Sequence, residues 1–119
     1  MTGLRRAVGA YGERCAVRHL TEAGLRVVAR NWRCPYGEID IIAWEGEVLA
    51  FCEVKTRRSA RYGTPAEAVL GRKARRLRRL AAEWLRDSDT HAEQVRFDVI
   101  EVYPARSGAA RVEHLRSAF

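Results

Sequence analysis

Two neighbouring stretches of this chain alternate apolar and polar residues with a period of two, and only a turn separates them. Gly37 to Trp44 and Glu47 to Lys55 flank the dipeptide Glu45-Gly46, so an antiparallel hairpin is expected. Successive side chains of a strand point to opposite faces. Glu38, Asp40, Ile42 and Trp44 should therefore share one face, and Leu49, Phe51, Glu53 and Lys55 should share the matching face of the next strand. Both faces carry charges among large apolar side chains. With Glu45-Gly46 as a two-residue turn, Trp44 lies opposite Glu47, Asp40 opposite Phe51 and Glu38 opposite Glu53. Asp40 and Glu53 then become diagonal neighbours, with Cα atoms about 7–8 Å apart. Two carboxylates that close repel each other in a half-buried sheet unless a proton or a cation sits between them. Magnesium suits such a pair, because it takes one or two carboxylates and completes its shell with water and phosphate oxygens. Asp40 and Glu53 are thus candidate ligands for Mg2+ or Mn2+.

The segments around the hairpin read as α-β-β-β-α-β-β, an α/β fold of one domain over residues 1–119. A helix is expected from Leu4 to Ala23, with Gly24 as its C-terminal cap, and a strand from Leu25 to Asn31. Thr64-Pro65-Ala66-Glu67 has the form of a helix start, with Thr64 as N-cap. That helix runs toward Arg86 on an apolar stripe of Ala74, Leu77, Ala81 and Trp84, and Gly71 is a point where it could divide. Strands are expected from Val95 to Tyr103 and from Arg111 to Leu115. On the first helix, Ala10, Ala16, Val17 and Leu20 lie within about 60° of Glu13, so this acid should face the sheet and could complete a metal shell directly or through water.

A net charge of +7 points to a polyanionic partner. Of the 22 basic residues only Lys55 and Lys73 are lysine, so a lysine at either place stands out against an arginine background that a GC-rich genome would also produce. Lysine is a compact point charge whose pKa a site can lower, and arginine is not. Lys55, two residues beyond Glu53, is the candidate to hold a nucleophilic water or to stabilise transition-state charge. Arg57, Arg58 and Arg61 leave the end of the same strand as a basic loop suited to phosphate backbone, although a solvated loop would look alike. Arg33, Lys73 and Arg76 are further candidates for nucleic-acid contact, and Trp32 or Tyr36 could stack on an unpaired base or simply pack. Asp98 reads as the structural partner of an arginine, and His19, His91 and His114 show no ligand spacing. Cys15, Cys34 and Cys52 form no C-x-x-C pair and read as reduced thiols, Cys15 and Cys52 in the core. No apolar run approaches the roughly 18 residues of a membrane span, and no apolar signal core follows Met1 to Arg6, so a cytoplasmic chain with no membrane partner is expected.

Asp40, then Glu53-Val54-Lys55 thirteen residues on, with Glu13 on a preceding helix, resembles the PD-(D/E)xK nuclease superfamily and its archaeal Holliday-junction resolvase branch. Over nearly the whole chain, Gly12-Glu13, Asn31-Trp32-Arg33, Gly37-Glu38-Ile39-Asp40, Phe51 to Arg57, Lys73-Ala74-Arg75-Arg76 and Arg96-Phe97-Asp98-Val99 resemble, in order, the YraN-like family of bacterial proteins. The resemblance implies a restriction-endonuclease-like fold, a mixed central sheet flanked by helices. It also implies Asp40 and Glu53 as metal ligands, Lys55 as the catalytic lysine, Glu13 as the helix acid and Lys73 near the cleft. Ile39 stands where the superfamily's naming proline would precede the aspartate. The expected activity is Mg2+- or Mn2+-dependent endonucleolytic hydrolysis of DNA, with branched or junction DNA as one form it could act on; an RNA nuclease is a third and weaker reading. Cutting both strands of a junction calls for a symmetric homodimer. The alternative is a nucleic-acid-binding or partner-binding module that keeps the fold and does not cleave.

Overall fold

A computed structural model describes residues 2–57 and 67–119, with side chains described for 7–57 and 71–119. Thr64, Arg58 and Arg61 lie outside the described residues. The elements are α1 (Thr2–Glu22), β1 (Arg26–Cys34), β2 (Gly37–Glu45), β3 (Val48–Thr56), α2 (Glu67–Ser88), β4 (Gln94–Tyr103) and β5 (Arg111–Leu115), in the expected order. The strands lie β1-β2-β3-β4-β5 in one sheet. All neighbours are antiparallel except β3 and β4, where α2 carries the chain back to start the next strand from the same end.

α1 stops where Gly24 takes φ +94°, and the Leu25 N–H donates to Leu20 O at 2.9 Å while the Gly24 N–H donates to Thr21 O at 3.0 Å. This is a Schellman ending, whose usual hydrophobic contact falls here on Leu20 and Leu25, both buried. With Ala16 they pack on Ile41, Ala43, Ala50, Cys52, Ile100 and Val102, one face of the sheet. On the other face, Leu77, Leu80, Ala81 and Trp84 of α2 pack on Ile39, Ile42, Leu49, Phe51 and Phe97. Phe51 anchors that side, stacked on Phe97 at 5.8 Å and edge-on to Trp84 at 5.9 Å. α2 passes Gly71 without a break. Cys52 is buried, whereas Cys15 and Cys34 are only half-buried. No described helix is long and apolar enough to cross a membrane.

The hairpin differs from expectation in its turn. Gly46 and Glu47 form it, so Glu45 pairs with Val48, Trp44 with Leu49 and Ile42 with Phe51. Asp40 is therefore not opposite Phe51, and Glu38 is not opposite Glu53. Gly46 takes φ +59° and Glu47 has no positive φ, the arrangement of a type II′ turn, which puts glycine first. Glu45 is kept in the strand by its carboxylate, which accepts from Arg96 Nη2 at 2.7 Å and from Arg116 Nε and Nη2 at 2.8 and 2.7 Å. The register is slipped by two residues and ends at Ile41–Cys52, the pair next to Asp40 and Glu53. A second difference affects alternation: Ile39 and Ile42, three residues apart, both pack on the α2 side, so β2 breaks its period between them. β1 also runs past Asn31, which sits at φ +53°, to a Cys34–Gly37 pair, so Trp32 and Arg33 are strand residues and Pro35-Tyr36 is the turn.

Candidate functional site

The last pair joining β2 to β3 is Ile41–Cys52, and beyond it the two strands part. At this fork the Val54 N–H, which a continuing ladder would give to β2 backbone, donates to Asp40 Oδ2 at 2.8 Å. Burial raises the Asp40 carboxyl above its ordinary range. The Val54 N–H opposes that rise, and the charges of Glu13, Glu38 and Glu53 add to it. Glu53 meets the opposite surroundings. Burial works to raise it, but the ammoniums of Lys73 and Lys55 override burial and hold it below the usual glutamate range. Lys55 Nζ lies 2.9 Å from Oε1 and Lys73 Nζ 2.6 Å from Oε2.

Asp40 and Glu53 line a cavity of about 230 Å3, together with Glu38, Ile39 and Cys52 of the strands and Arg76 of α2. A larger groove of about 800 Å3, between α1 and residues 108–112, contains none of the sequence-predicted site residues. α1 comes against the end of β3 at Gly12, where an added Cβ would lie 2.0 Å from Thr56 Oγ1, and the adjoining Glu13 is near enough for its charge to act on Asp40. Only a residue without a side chain permits that approach. Asp40, Glu53, Lys55, Lys73, Arg76 and Glu13 are thus brought to one end of the β2–β3 pair.

Of the other candidates, Arg33 stands at the rim through Glu38 of the cavity wall, and the rest are turned elsewhere. Arg33 is exposed and pairs with Glu38 at 3.1 Å. Arg57 extends the parallel ladder by donating its N–H to Val102 O at 2.8 Å, and its guanidinium pairs with Glu101 of β4. Tyr36 offers an exposed ring, but the Arg79 guanidinium lies 3.7 Å from its centroid. Trp32 packs half-buried against the α2-side core.

The donor chemistry at the fork fits a divalent cation as a partial shell. Neighbouring acids press on Asp40, and beside it Glu53 is kept ionised, with its Oε2 buried against the Lys73 ammonium. A hard cation answers both conditions. Asp40 and Glu53 would hold it, leaving the remaining positions to water and substrate oxygens. Among the described residues no three His, Cys, Asp or Glu side chains are gathered into a ligand group.

One cluster escaped the sequence. Asp98 is fully buried and accepts from Arg96 Nε at 2.9 Å, His114 Nε2 at 2.7 Å and the Ser117 N–H at 3.1 Å. The arginine partner was expected, but the role of His114 was not. The Arg96-x-Asp98 spacing was the only visible signal, because His114 arrives from β5 through the sheet register.

Residues 12–102 match the group described as Uncharacterised protein family UPF0102. A UPF0102 protein of Salinispora arenicola is 62% identical over 119 residues, covering 100% of both chains. One of Beutenbergia cavernae is 61% identical over 110 residues, covering 92% of this chain and 93% of its own. One of Rhodococcus opacus is 55% identical over 113 residues, covering 95% and 96%. The matched span holds every residue gathered at the fork, and on the strength of that span and these relatives the chain belongs to the UPF0102 family, the YraN-like group its ordered motifs resemble.

Proposed function

We propose that this chain is a cytoplasmic, metal-dependent endonuclease that hydrolyses phosphodiester bonds in DNA, with branched or junction DNA as its preferred form. The observation that carries this reading is the shared cavity of Asp40 and Glu53 at a strand fork, with Lys55 beside them. Bound Mg2+ or Mn2+ would supply the Lewis acidity that phosphodiester hydrolysis needs. The chain's own residues supply the rest. Lys55, with a side chain 42% exposed, presents its ammonium from Glu53 toward solvent, where it can stabilise charge developing on a phosphate. Arg76, on the cavity wall, can position the backbone without reading bases. The net charge of +7 favours encounter with any polyanion. Two copies related by symmetry would act on the two strands of a junction.

A second reading is favoured by the ammonium on each oxygen of Glu53: a module that binds nucleic acid or a partner without cutting. One experiment separates the two. Labelled duplex, single-stranded, flap and four-way-junction DNA, with an RNA panel beside them, are incubated with pure protein in Mg2+, Mn2+ or EDTA, and with Asp40→Asn. The nuclease reading expects metal-dependent cleavage that the substitution abolishes. Binding without cleavage on every substrate supports the module, and cleavage that survives Asp40→Asn excludes this site.

A further inference from the structure

Lys73 comes from α2, the helix that follows β3, and it makes the closest approach to Glu53, 2.6 Å against 2.9 Å for Lys55. Its side chain is 21% exposed and that of Glu53 is 20% exposed. The ammonium also lies 5.5 Å from the centroid of the Phe119 ring. Such a contact differs from a surface pair of two mobile side chains, because burial and the aromatic face both confine the lysine. Lys73 Nζ lies 2.6 Å from Glu53 Oε2, close enough for its charge to help hold the carboxylate ionised. A second cation that takes this oxygen must displace the ammonium from it. Lys55 occupies the other oxygen, so both lone-pair sides of the carboxylate already face an ammonium.

We propose that Lys73 is the resident counter-ion of the site: its ammonium holds Glu53 in the metal-free protein and moves to a substrate phosphate when a divalent ion takes that carboxylate. The proposal rests on the reading of Asp40 and Glu53 as metal ligands. Two cations at contact distance from one oxygen repel strongly in a half-buried place, so metal entry and lysine release are coupled. A phosphate in the cavity offers the released ammonium a new partner. Arg76, one turn along the same face of α2, already lines that cavity and would hold the phosphate's other side. Metal and phosphate therefore favour one another's binding, through a residue that changes partner between them.

The test is Mn2+ binding to the full chain by calorimetry, for wild type, Lys73→Met, Lys73→Arg and Asp40→Asn. Methionine keeps most of the aliphatic stem and removes the charge. Lys73→Met is expected to bind Mn2+ about five- to tenfold tighter than wild type, and Lys73→Arg to stay within about twofold. In a parallel anisotropy measurement on labelled duplex DNA, Ca2+ should strengthen binding by wild type and lose that effect in Lys73→Met. Unchanged or weaker Mn2+ binding by Lys73→Met, with wild type binding in an Asp40-dependent way, overturns the counter-ion role alone. Failure of wild type and Lys73→Met alike to bind Mn2+ overturns the metal reading and this role with it.

Discussion

Asp40 holds its charge at a cost to the fold. Burial and three neighbouring acids raise its pKa above the unfolded value of 3.8, so the native state binds the proton more tightly than the unfolded chain. The stability that this proton contributes is present at low pH and lost as pH rises through the folded pKa. Asp40→Asn keeps an acceptor for the Val54 N–H and removes the charge. At pH 7 it is expected to raise Tm by roughly 2–5 °C while lowering cleavage by at least about a hundredfold. Asp40→Ala should behave differently, since it leaves the Val54 N–H unpaired at a cost of about 1–3 kcal/mol. Thermal melts of both variants beside the cleavage assay check the pair, and a fall in Tm for the asparagine would refute the electrostatic account. Asp40, Glu53 and Lys55 were legible because charges interrupted an apolar alternation. Lys73 was legible as an unusual lysine and, through the family resemblance, as a residue near the cleft. Its partner was hidden because α2 and β3 meet through tertiary packing that no local spacing encodes.

Among the elements, the sequence order of helices and strands followed from periodicity and end signals such as Gly24. The hairpin register did not. Glu45-Gly46 and Gly46-Glu47 are both plausible turns by local chemistry, and the choice is made by Arg96 and Arg116, more than fifty residues downstream. The loss of alternation between Ile39 and Ile42 was equally invisible, since it depends on where β2 leaves its neighbour. The approach of α1 to β3 can be tested directly. Gly12→Ala places a methyl against the Thr56 hydroxyl, with an expected loss of about 1–3 kcal/mol and reduced cleavage as Glu13 is displaced. Adding Thr56→Ala should recover part of both losses in a double-mutant cycle. If the two substitutions are simply additive, α1 is not positioned by this contact.

Across the whole molecule, acid-sensitive stability comes from Glu53 at the fork and from the network around Glu45 and Asp98. Glu45 is lowered to about 2, first by Arg116 and then by Arg96 against burial. Asp98 is lowered too: burial alone would raise it, but His114, Arg96 and the Ser117 N–H prevail. Depressed carboxylates contribute stability that is complete above their unfolded pKa values, near 4, and lost as pH falls through the folded ones. Urea titrations are therefore expected to show a plateau above about pH 5 and a steady decline toward pH 2. Asp98→Ala should cost about 3–5 kcal/mol, because it leaves Arg96 and His114 without their buried partner. A stability profile that is flat through this acid range would exclude the network as a stabilising element. The parallel seam between β3 and β4 has a consequence in time. β1, β2 and β3 follow one another through two-residue turns, so their pairing closes short loops, whereas β4 must wait for α2 to cross over. Asp40 and Glu53 are therefore expected to meet early in folding, with Lys55 already beside Glu53, and Lys73 to arrive with the later helix. The chain assembles its charge conflict before the whole of its remedy. In stopped-flow refolding, Asp40→Asn should hasten the first phase, and Lys73→Met should leave that phase unchanged.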